Sequence, residues 1–356
     1  MSFNRLVADD FVVSTDSITA GLWGDSSTPN LSTFITSSAQ AAGSSGNYYL
    51  NVFSAGTSTG PSELEFAVTY GNSVGGGSLL FDSAVAERSP SSTIYGSYRT
   101  LVLGDENASF SFGGITSSDF WAISIDRNRY KESLFPGSLT LIISGSDAAA
   151  GGGMLSLTDN SQIVTTTTFN DAGRVFQIVS GSAGTVFTGV NNNGYSLASG
   201  SYGFFLPDIA TLLLNPRAIT AGNTGVSKSF ADIKPVTTTN TDGNNPGILI
   251  RAISASANPS PKPTLPFTLN SQENITSDFV FVRPRSSEYN YSSNPSFISG
   301  STGEVLFNSF INNPQTYMTT VGLYNDTNEL LAVAKLSRPL PKDFTKEALV
   351  RVKLDF

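Results

Sequence analysis

The strongest constraint on this chain is a two-residue periodicity of apolar side chains, interrupted by clusters of glycine, asparagine, serine and proline. Side chains of an extended strand point alternately to opposite faces, so apolar residues at every second position mark a strand with one buried face. Runs of this kind occupy residues 48–53, 64–70, 120–125, 139–144, 163–168, 174–179, 204–206, 209–214, 279–282, 316–324, 329–336 and 348–356. Between them stand clusters such as Gly75-Gly76-Gly77, Gly151-Gly152-Gly153 and Asn191-Asn192-Asn193-Gly194. These supply the positive φ angles and side-chain-to-backbone hydrogen bonds that turns need. The expected fold is mainly β: antiparallel sandwich or barrel-like domains with one or two short helices and long extended loops. No repeat of domain-building length is visible, which disfavours solenoids and propellers.

Helix signals are few. Over residues 89–104, Ser89 stands at an N-cap and Pro90 at the first helical position. Ile94, Tyr95, Tyr98, Leu101 and Val102 follow at helical spacing, and Gly104 closes the pattern. A second pattern over 246–257 places Ile248, Leu249 and Ile253 on one face, although its β-branched content leaves a strand open. Near the C-terminus the apolar runs 319–324 and 329–336 flank Asn325-Asp326-Thr327-Asn328, which predicts an antiparallel hairpin closed by a four-residue turn. The span 236–272 is rich in Thr, Asn, Ser and Pro, as in Asn258-Pro259-Ser260-Pro261-Lys262-Pro263, a composition that resists regular structure. The expected organisation is a main β domain over 1–235 with an N-terminal arm, a linker or arm over 236–272, and a C-terminal β domain over 273–356 ending in the hairpin and a final strand.

Function is narrowed by what the chain lacks. It contains no histidine and no cysteine. The imidazole general base, the thiol nucleophile and the usual soft-metal ligands are therefore unavailable. Charged residues make up 13% of the chain, against about 25% in an average soluble domain, so Ser, Thr, Asn and Gly must dominate the surface. Such a surface repels neighbours weakly and suits a protein packed among other proteins. The net charge of -8 argues against a nucleic-acid partner, which needs clustered cations. Residues 1–13 lack the apolar core of a secretory signal, and no run approaches the length of a membrane span, so no membrane partner is expected.

A carboxylate pair is the main enzymatic route left open. The candidates are Glu63 with Glu65, or Asp119 with Asp126 at the two ends of one strand. Against the first stands a plainer reading, in which both glutamates form the solvated face of a strand whose inward residues are Leu64 and Phe66. The glycine clusters at 75–78 and 151–154 lack the Lys-Ser/Thr and following helix of a phosphate loop and read as mobile hairpin tips. Asp242-Gly243-Asn244-Asn245 lacks the spaced acids of a calcium loop and reads as a turn. No catalytic, cofactor-binding or metal-ligating residue is expected, and no cofactor. Trp23 and Trp121 read as core or interface residues rather than sugar platforms.

A short basic cluster, Arg127, Arg129 and Lys131, is interleaved with Tyr130. It reads either as a docking patch for acidic residues of a neighbouring subunit, or as an exposed loop pairing internally with Asp126 and Glu132. Tyr324, Asn325 and Asp326 at the hairpin turn are the second candidate docking group.

The hairpin from Thr319 to Leu336, with Val321-Gly322-Leu323-Tyr324-Asn325 and Leu330-Leu331-Ala332-Val333-Ala334-Lys335, resembles one found in tail and baseplate proteins of tailed bacteriophages. Further segments extend the likeness: Tyr95 to Leu103, Asp126 to Gly137 with Arg129-Tyr130-Lys131-Glu132, Ser201 to Asn215 with Gly203-Phe204-Phe205-Leu206-Pro207-Asp208, and Ser287 to Pro295 with Glu288-Tyr289-Asn290-Tyr291. They are similar to virion structural proteins of large contractile-tailed phages, of the type that infect cyanobacteria. The resemblance implies a particle component at the tail or baseplate, assembled in the host bacterial cytoplasm and located in the virion. Its partners would be other virion proteins and copies of itself. The leading expectation is a non-enzymatic structural subunit of a contractile tail, in the baseplate or its periphery. The alternatives are a capsid or neck decoration or connector protein, and a receptor- or polysaccharide-binding β protein at the tail tip.

Overall fold

The computed structural model describes residues 3–22, 30–31, 35–36, 49–53, 63–78, 84, 89–145, 154–187, 193–221, 233–237, 244–256, 266–291 and 296–355. The protein is mainly β with antiparallel sheets. It divides into two compact units, one formed by Ile18–Glu273 and the other by Met1–Ser17 with Asn274–Phe356.

The larger unit is built on one extended sheet. Its principal strands are β2 (Tyr49–Phe53), β3 (Leu64–Asn72), β4 (Asp119–Ile125), β5 (Thr140–Ser144), β6 (Met154–Asp159), β7 (Gly173–Ser182), β8 (Gly203–Leu206) and β9 (Thr211–Leu214). The spatial order is β5-β6-β7-β8-β9-β4-β3-β2, so two meanders meet where β9 pairs with β4. In that central ladder Thr211 faces Ser124 and Leu214 faces Trp121. Two-residue strands finish both edges, Asn30–Leu31 with Phe267–Thr268 beyond β5 and Ile35–Thr36 beyond β2. Edges this short offer little template for unwanted pairing.

Both faces of the middle strands are covered, so Gly203–Leu206 and Thr211–Leu214, expected to alternate, are instead largely apolar and buried at successive positions. On one face Phe66, Val68, Trp121, Ile123, Phe205, Leu212 and Leu214 form a core with Leu249, Ile250 and Ile253 of α3 (Asn245–Ser256) and with Ile219 of α2 (Pro216–Ala221). On the other, Phe120, Phe204, Leu206 and Leu213 pack with Tyr95 and Val102 of α1 (Pro90–Leu103) and with Phe110 and Phe112. The rings interlock, with Tyr95 stacked on Phe120 at 5.4 Å and Phe110 edge-on to Phe120 at 5.0 Å. All four residues of β8 and of β9 are buried.

The local signals at α1 are realised. Pro90 opens the helix and Gly104 closes it in the left-handed region at φ 65°. Ser89 is extended, but its hydroxyl donates to the Gly75 carbonyl at 2.6 Å rather than capping the helix. The glycine cluster 75–77 is consequently no mobile tip. It is buried, and a Cβ on Gly76 or Gly77 would collide with the carbonyl oxygens of Thr237 or Val236. Asn245, at the start of α3, ties this region together by donating to the carbonyls of Gly77 and Val236 and accepting from the Val236 amide. Its own carbonyl accepts the indole N–H of fully buried Trp121 at 2.9 Å. The pattern over 246–257 forms a helix rather than a strand, Asn245–Ser256, in which Leu249, Ile250, Ala252 and Ile253 enter the core. The clusters Gly151–Gly153 and Asp242–Gly243, and Trp23, lie outside the described residues.

Two strands differ from expectation. Residues 161–163 form a turn held by Asn160, and the short strand there is Thr168–Asn170. Met154–Asp159 is a strand that ends on a fully buried carboxylate, Asp159, which accepts from the amides of Gly137 and Ser161.

In the smaller unit β10 (Asn270–Val282) pairs with β13 (Val350–Asp355) from Ser277↔Asp355 to Val282↔Val350, and β1 (Phe11–Gly21) lies on the other side of β10. The hairpin forms as a long ribbon, β11 (Thr316–Tyr324) with β12 (Leu330–Lys342). Asn328 provides the left-handed residue of its turn at φ 61°. Val280, Val350 and Val352 form the small core, against which Val321, Leu323, Ala334, Leu336 and Leu340 of the ribbon pack.

Candidate interaction surface

The basic cluster begins where β4 ends. Asp126 accepts the Asn128 amide at 3.0 Å and starts a single 3-10 turn, Arg127–Arg129. Arg127 folds back, its guanidinium 4.7 Å from the centre of the Tyr130 ring and donating to the Tyr130 carbonyl at 2.7 Å. Arg129 turns the other way. It pairs with Glu63 at 2.7 Å and with Glu65 at 3.0 Å, and donates to the Leu64 carbonyl at 3.2 Å. The Glu65 side chain is only 4% exposed and that of Glu63 is 71% exposed. The pair 63 and 65 is therefore not a solvated face: Glu65 is buried, and Arg129 neutralises it from inside the fold. The carboxylates that pair with the Arg129 guanidinium are those of Glu63 and Glu65, while its backbone amide donates to the Asp126 carbonyl at 3.0 Å. Lys131 remains exposed at the rim.

A second bidentate pair that the sequence reading missed lies in the same unit. Arg174 donates to Asp208 through its backbone amide, its Nε and its Nη2, and through Nη2 also to Ser133. Its signal was present only as a charge inside each of two apolar segments.

No catalytic carboxylate pair emerges among the described residues. Asp119 and Asp126 stand at opposite ends of a seven-residue strand, roughly 20 Å apart at strand rise, well beyond the spacing of a hydrolytic pair. Asp119 accepts the Tyr70 hydroxyl at 2.9 Å. Burial pushes both groups toward their protonated forms. Among the described residues no cluster of three or more acidic side chains gathers where a cation would sit. A groove of about 220 Å³ beside α1 is lined by Ser97, Tyr98, Leu101, Ser124, Ile209 and Thr211, none of them charged. No described helix is long and apolar enough to cross a membrane.

The second candidate group sits at the ribbon tip. Asn325 organises the turn: its Oδ1 accepts from the amides of Thr327 and Glu329 and the Thr327 hydroxyl, and its Nδ2 donates to Glu329 at 2.7 Å. Asp326 is exposed at the apex. Tyr324 meets Phe3 edge-on at 5.0 Å. What the sequence did not reveal is how apolar the outward side of the ribbon is. Leu331 is 69% exposed and Val333 58%, with Tyr317, Tyr324 and Leu330 also in the open. Strand β1 of the same unit exposes Phe11, Val12 and Val13. The basic cluster and the ribbon tip belong to different units.

No protein family, curated protein or solved structure matches the chain.

Proposed function

We propose that the chain is a non-enzymatic structural subunit of a contractile phage tail, placed in the baseplate or its periphery and working through protein contacts. The observation that carries an assembly role is the smaller unit's exposed apolar side chains, Leu331, Val333, Tyr317 and Tyr324 on the ribbon and Phe11 to Val13 on β1. Large apolar side chains exposed together are candidates for sites covered by other proteins. The tail placement rests on the resemblance of the ribbon and of the 126–137, 201–215 and 287–295 segments to tail proteins. A subunit of this kind needs rigid β units and adhesive surfaces, and no proton-transfer centre.

Immunogold electron microscopy of purified virions with antibodies to the chain tests the proposal. Label at the distal end of the tail is the expected result. Label on the head or neck, or absence of the chain from purified virions while it is abundant in lysate, overturns the placement.

A further inference from the structure

We propose that Lys342 and Asn290 are joined by a side-chain amide bond that forms, with release of ammonia, once the smaller unit has folded. Lys342 closes β12 and is fully buried, among the largest side chains so enclosed. Its Nζ donates to Oδ1 of Asn290 at 2.8 Å, to the Ser286 carbonyl at 2.9 Å and to the Asp343 carbonyl at 3.0 Å. Asn290 is buried as well, and its Nδ2 donates to the same Ser286 carbonyl at 2.6 Å. One backbone oxygen thus gathers the attacking and the departing nitrogen.

The electrostatics set this lysine apart. All three of its acceptors are neutral oxygens, and none of the ion pairs among the described residues includes it. The two carboxylates nearest in sequence to the site make their hydrogen bonds and ion pairs elsewhere, although the charge of Glu288 interacts with that of Lys342. Asp343 holds the Thr345 amide and hydroxyl and pairs with Lys346, while Glu288 holds the Arg285 amide and Asn4. A buried ammonium held by neutral oxygens carries a desolvation penalty, which the Glu288 carboxylate offsets only from beyond ion-pair contact. Condensation removes that charge from the interior.

The step balances without any co-reactant. The Nζ–Cγ bond forms, the Cγ–Nδ2 bond breaks, and the amide nitrogen leaves as ammonium with two of the lysine protons, so the positive charge departs with the leaving group. Ser286 O bridges the two nitrogens between which those protons pass. Holding amine and carboxamide within hydrogen-bond distance replaces a bimolecular encounter with an intramolecular one. In a chain with no cysteine, the link would fasten the 286–290 loop to β12 as a disulfide would elsewhere.

The test is mass spectrometry on the folded full-length protein. Its intact mass should be lower than the sequence mass by one ammonia, and digestion should yield a branched peptide joining Asn290 to Lys342. Locating the branch separates the link from cyclisation at other asparagines. Asn290→Asp should reach the same final mass by losing water instead, and Asn290→Ser should abolish the branch. Recovery of Lys342 and Asn290 in separate, unmodified peptides from folded wild-type protein overturns the proposal, and that result does not depend on any variant folding.

Discussion

Arg129 decides between a docking loop and an internal strut, and its replacement by alanine separates them quantitatively. Removing the guanidinium leaves Glu65, with a side chain 4% exposed, without the ion pair it makes with Arg129. Breaking a buried ion pair from one side costs about 3–5 kcal/mol. Arg129 retains 17% exposure and water can partly replace it, so the expected loss lies at the lower end, about 3 kcal/mol. With a urea m-value of about 3 kcal/mol/M, the unfolding midpoint should fall by about 1 M. Trp121, fully buried in the same unit, makes its fluorescence a direct assay. Glu63→Gln serves as the contrast, because that carboxylate is 71% exposed and surface pairs contribute about 0–1 kcal/mol. The double variant Glu65→Leu with Arg129→Met should recover most of the loss, since apolar replacement of a whole buried pair is close to neutral. If Arg129→Ala unfolds within about 0.5 kcal/mol of wild type, the strut assignment is wrong and the residue belongs to the surface available to partners.

Gly203→Ala should be harsher than an ordinary strand substitution: φ is 150° and the added Cβ would fall on the Leu213 carbonyl across the β8–β9 ladder, so a loss of more than about 2 kcal/mol is expected in the same urea assay. Stability should be flat from about pH 6 to 9. Burial raises Asp119, so its contribution is present below the ordinary carboxylate range and lost as pH rises through the raised value. Hydrogen bonds from Thr345 and the Arg285 amide, and the Lys353 ammonium, lower Asp343, Glu288 and Asp355, so theirs is present above that range and lost as pH falls. Burial raises Tyr202 to about 12 and also raises Tyr95 and Tyr98, so theirs is lost only in alkali. A midpoint that moves across neutrality in denaturation at fixed salt would contradict this assignment.

What could be read from the sequence was local. The ends of α1 were legible because Pro90 and Gly104 act through their own backbone angles. The ribbon was legible because a four-residue turn between two apolar runs has one favourable geometry. β1 was not, since Ser14, Thr15, Asp16 and Ser17 interrupt its apolar residues and nearly all of its side chains are exposed; pairing with β10 makes it a strand, without any buried face. Burial of Glu65 and Lys342 was illegible for the opposite reason. Each depends on a group more than fifty residues away, Arg129 in one case and Asn290 in the other. A charge in an alternating pattern reads as solvent-facing until its distant partner is placed.

That redistribution of charge bears on how the protein associates. Arg129 and Arg174 are committed to Glu65 and Asp208, Arg127 is folded on Tyr130, and Lys342 is enclosed. The cations that made the 127–131 loop resemble a docking patch are therefore largely spoken for, leaving Lys131 as its free rim. The smaller unit exposes large apolar side chains as well: Leu331, Val333, Tyr317 and Phe11 to Val13. Screening at about 1 M salt shortens the Debye length to about 3 Å and erases exposed ion pairs, but apolar burial survives it. Association through this unit should thus persist from low salt to about 1 M sodium chloride and should fail for Leu331→Ser combined with Val333→Ser at any ionic strength. Retention of the chain in sedimented virions, measured across that salt series, reads the outcome. Release by salt with retention of the double variant would assign the contact to charge and return the weight of the interaction to the basic loop.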